Sequence, residues 1–62
     1  MTATYQSAKD LIVDYLSELY KDEANELAWV YEHGGEKAAI NWIRNDSGAK
    51  IMQVGDKWII IE

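Results

Sequence analysis

The chain has 62 residues, a net charge of -5 and no cysteine. That length allows one domain spanning 1–62 and leaves a small core, since a chain of about 60 residues buries only about 60% of its unfolded surface. Disulfide staples and thiolate zinc sites are excluded, so packing, self-association or a partner must hold the fold. With 48% hydrophobic residues, three Trp and four Tyr, the composition is that of a globular domain. The N-terminus "MTATYQSAKDL" has no basic run followed by an apolar one, and no apolar stretch approaches the roughly 18 residues of a membrane span. A cytoplasmic protein is the expectation.

Along the chain, residues 7 to 20 place Ala8, Leu11, Ile12, Tyr15, Leu16 and Leu19 on one helical face. Ser7 with Asp10 three residues later resembles a capping box and marks the start. Asp10, Asp14 and Glu18 are spaced by four and form an acidic stripe on the other side. A second helix is expected over 22–33, with Asp22 as N-cap, Ala24, Leu27, Ala28 and Tyr31 inward, and Gly34 closing it. A third is expected over 36–45, with Ala39, Ile40 and Ile43 inward. Trp29 and Trp42 lie off these apolar lines, as caps on the core edge or as exposed contacts. The competing assignment makes 27–32 and 38–44 two strands around "HGGE", because Val, Ile, Trp and Tyr also suit strands.

The closing stretch "AKIMQVGDKWIIIE" reads as a hairpin turning at Gly55 and Asp56, a type II′ signal. Val54 then faces Lys57, Met52 faces Ile59 and Ile51 faces Ile60. Ile51, Trp58 and Ile60 share one side of the ribbon; Met52, Val54, Ile59 and Ile61 share the other. Both sides are apolar, and three helices cover only one. More strands, a second copy or a docked partner must account for the other. The fold class expected is α+β: three short helices and a C-terminal β-hairpin.

Catalytic signals are weak. Ser7, Ser17 and Ser47 with His33 lack a nucleophile elbow, and pairs such as Asp22 with Glu26 lack an enclosing pocket. "HGGEK" lacks the downstream residues of a phosphate loop. One histidine without a second His or a Cys makes a poor metal site, and no carboxylate run has calcium-loop spacing. The expectation is a binding protein without enzymatic activity, cofactor or metal.

"YEHGGEKAAINWIR" carries Ala28 and Val30 before a glycine turn at Gly34, then apolar Ile40 and Ile43. With a helix in front and a hairpin behind, this order resembles a winged-helix domain. The resemblance implies DNA binding, with Lys37, Asn41 and Arg44 on the recognition helix and Lys50 or Lys57 on the wing. Charge points elsewhere. The acids Asp10, Asp14, Glu18, Asp22, Glu23, Glu26 and Glu32 face only Lys9 and Lys21 in residues 1–33, so the whole negative excess lies there. A DNA binder normally carries a basic footprint.

Size and acidity together resemble the DNA-mimic inhibitors carried by phages and mobile elements, an analogy of charge that implies a larger protein partner with a basic or nucleic-acid-binding surface. The expected contact residues are Asp10, Asp14, Glu18, Asp22 and Glu26, with Trp29, Trp42 and Trp58 as aromatic anchors. A DNA-binding regulator and an adaptor that forms a homodimer through the C-terminal hairpin are the alternatives.

Overall fold

The computed structural model describes all 62 residues. Five elements follow one another: β1 (Thr2–Tyr5), α1 (Ala8–Ser17), α2 (Lys21–Ser47), β2 (Lys50–Val54) and β3 (Lys57–Ile61). The strands form one antiparallel sheet in the order β1-β3-β2. The result is an α+β domain with two helices, where the sequence suggested three. A strand ahead of the first helix also departs from the winged-helix arrangement.

α1 begins where its sequence signals it. Ser7 is extended, and its Oγ accepts the Asp10 N–H at 3.1 Å, one half of a capping box. The helix ends at Ser17, short of the expected residue 20, and buries Ala8, Leu11 and Ile12.

α2 corrects the reading of 22–45 in several ways. It starts at Lys21 with Tyr20 as N-cap and no side-chain cap bond. Asp22 sits instead in the first turn, where a carboxylate favours the helix dipole. Residues 27–32 and 38–44 are helical, so the two-strand alternative is set aside. The helix also does not stop at Gly34. Its one non-helical residue is Gly35, with φ 79° and ψ -169°, and helical structure resumes at once.

The reason is geometric. On an unbroken helix, at roughly 100° per residue, the centre of Ala24, Leu27 and Tyr31 would lie about 130° around the axis from that of Ala39, Ile40 and Ile43. One straight helix cannot press both groups onto one core. The break at Gly35 resets the phase, and Leu27, Ala39, Ile40 and Ile43 all become buried. Ala28, expected inward, stays exposed. Gly34 is required for a different reason: a Cβ there would lie 2.5 Å from that of Ala38. Gly48, at φ 70°, closes the helix after Ser47, two residues beyond the expected end.

The hairpin register is the expected one: Val54 opposite Lys57, Met52 opposite Ile59, Ile51 opposite Ile60. Gly55 has a positive φ of 63° and Asp56 does not, as a type II′ turn demands. β1 was not anticipated. It pairs along the free edge of β3, Ala3 opposite Ile60 and Tyr5 opposite Trp58, and makes β3 the central strand. The core joins Ala8, Leu11 and Ile12 to Leu27, Ala39, Ile40 and Ile43 over Ile51 and Ile60. No helix is long and apolar enough to cross a membrane.

Gly35→Ala should therefore lower stability by about 1–3 kcal/mol, because that φ/ψ region belongs almost entirely to glycine. Chemical denaturation measures it; an unchanged midpoint would show that the phase break does not need this residue.

Candidate functional site

All five acids expected to contact a partner are exposed. Only Asp56 makes an ion pair, with Lys57 at 3.7 Å, so none of the seven acids of residues 1–33 has a cationic partner within the chain. Asp10 and Asp14 stand on the outer side of α1, and Glu18 is its C-cap. Asp14 is held in place, since its carboxylate accepts the Tyr5 O–H and ties β1 to α1.

On the first leg of α2, spacings of four, three and four place Asp22, Glu26, Trp29 and His33 along one line, opposite the buried Leu27 and Tyr31 side. Trp29 is 62% exposed. Its ring stacks on that of His33 at 4.3 Å between centroids and 22° between planes. His33 Nδ1 donates to the Trp29 carbonyl oxygen at 2.9 Å, which fixes the proton on that nitrogen. An exposed indole stacked on an imidazole thus stands on a solvent-facing helix surface, in line with the unpaired carboxylates of Glu26, one turn before it, and Asp22, two turns before it.

The other tryptophans are placed differently. Trp42 and Trp58 are half-buried and pack against the core, so neither stands out as Trp29 does. Trp58 lines a cleft of about 390 Å³ with Glu36, Lys37, Ile40 and Arg44. Arg44 is exposed but held: Nη1 donates to Asn41 Oδ1 at 2.9 Å and Nη2 to the Ile51 carbonyl at 2.7 Å.

β1 lengthens the sheet without covering its outer side. Met52, Val54 and Ile61 remain exposed and Ile59 half-exposed, between Thr2 and Thr4 on one flank and Lys50 on the other. No three His, Cys, Asp or Glu side chains gather where a metal ion would sit.

Among protein-family models, characterised proteins and solved structures, none matches this chain.

Sequence reasoning missed two tyrosine bonds. Hydrogen bonding to Asp14, then burial, pushes the Tyr5 hydroxyl up to about 12 from 10.0. Burial, then the 2.8 Å bond to Asp46, does the same for Tyr15. A tyrosine whose native pKa exceeds its unfolded value contributes stability that is complete below about pH 10 and lost as pH rises towards 12. Denaturation midpoints should therefore fall over that interval, and Tyr5→Phe with Tyr15→Phe should flatten the fall. An equally steep decline in the double variant would show that these bonds are not its source.

Proposed function

We propose that this protein is a non-enzymatic binding module that docks on a basic surface of a larger protein. It inhibits that protein by covering a surface that otherwise holds nucleic acid. The observation that carries this reading is the first leg of α2, where exposed Trp29, stacked on His33, stands in line with unpaired Asp22 and Glu26. Exposed carboxylates steer association with a cationic surface and make it salt-dependent. A tryptophan in line with such carboxylates supplies the apolar contact that charge alone lacks, and tryptophans are over-represented among residues that dominate binding energy. Asp10, Asp14 and Glu18 extend the negative field on α1.

A second reading rests on the sheet. Its outer side presents Met52, Val54, Ile59 and Ile61, an arrangement that a second copy would bury. A mass that doubles with concentration in light scattering is the signature of that homodimer.

The first reading is tested with the tagged protein as bait, comparing the wild type with Glu26→Lys and Trp29→Ala. Both side chains are exposed, so neither change should unfold the domain. Retained proteins should be released by salt, displaced by duplex DNA, and lost from both variants. Retention that neither variant weakens would remove the acidic, tryptophan-centred face from the account.

A further inference from the structure

The cleft beside the second leg of α2 inverts the charge of the rest of the molecule. Two of the six cations of a chain with net charge -5, Lys37 and Arg44, meet there against one acid, Glu36. Lys37, Ile40 and Arg44 follow the three-and-four spacing of one helix face, and Trp58 from β3 completes the wall. Ile40 closes the floor and is almost fully buried, so the apolar surface within reach is that of half-buried Trp58, with Lys37 and Arg44 exposed beside it.

Arg44 is already oriented. Its bonds to Asn41 and to the Ile51 carbonyl fix the guanidinium plane, and no carboxylate pairs with it. Its remaining N–H groups are unbonded within the chain, as are the Lys37 ammonium and the Trp58 indole N–H. A fixed guanidinium with free donors is suited to a planar carboxylate, and an indole beside it suits a flat ring. The volume of about 390 Å³ is that of a small-ligand site.

We propose that this cleft binds a small aromatic monocarboxylate, its carboxylate on Arg44 and Lys37 and its ring on Trp58. A single negative charge follows from Glu36, which stands in the same lining and repels a dianion more strongly. The site uses none of the residues of the acidic face.

Benzoate is the probe, read by two-dimensional ¹H–¹⁵N NMR on the full chain, with the Trp58 indole signal assigned by its absence in Trp58→Phe. The expected result is a saturable shift of that signal with benzoate and none with neutral benzamide. Lys37→Ala should weaken binding several-fold. Arg44→Lys, which keeps the charge and loses the planar fork, should weaken it about tenfold. Glu36→Gln should tighten it. A shift that does not saturate, an equal response to benzamide, tighter binding of phenyl phosphate than of benzoate, or affinity unchanged by both cation variants would overturn the assignment.

Discussion

A single backbone position decides how this small chain closes its core. α2 carries two apolar groups out of phase with each other, and only the non-helical φ/ψ of Gly35 lets Leu27 and the Ala39, Ile40, Ile43 group join the same core. A domain this small has no second core to which one group could be diverted. Because the first leg turns Leu27 inward, Trp29 must face outward. Because the second leg turns Ile40 inward, Lys37 and Arg44 border the cleft with Trp58. Both candidate binding surfaces are consequences of the same break.

The sheet supplies the complementary constraint. β3 is flanked on both sides, so Ile60 has a ladder partner on each neighbour, Ala3 and Ile51, all on the covered face. The chain ends are joined as well: the Glu62 N–H donates to the Met1 carbonyl at 2.8 Å and the Met1 ammonium to the Glu62 carbonyl at 3.0 Å. The acidic helices therefore ride on a sheet paired through all three strands. Of the exposed carboxylates, Asp14 and Asp46 accept tyrosine hydroxyls and tie α1 to its neighbours, while Asp10, Glu18, Asp22 and Glu26 bond to no other side chain.

Much of this was legible in the sequence. Ser7 and the apolar spacing behind it announce α1, and Gly55 with alternating apolar residues fixes the hairpin register, because these signals are local. The third helix was misread because a glycine that caps a helix and a glycine that resets its phase look alike as letters. The offset between Leu27 and Ile40 distinguishes them only once both are known to meet one core. β1 is four residues long, with Ala3 and Tyr5 as its only inward side chains, and its pairing partner lies at the far end of the chain. The exposure of the acids followed from composition. The Tyr5 bond to Asp14 and the Arg44 bond to Ile51 depend on tertiary placement and carry no local pattern.

The most direct measurement is a salt titration of binding to fluorescent mixed-sequence duplex DNA, with the mass of the same sample followed by light scattering. If Gly34 and Gly35 serve to bend one helix onto its core and the acidic face is meant for a basic protein, no complex with DNA forms even at low salt. A complex that forms and weakens steeply as salt rises would make 31–44 a DNA-reading segment after all, and the proposed docking on a basic partner would be wrong.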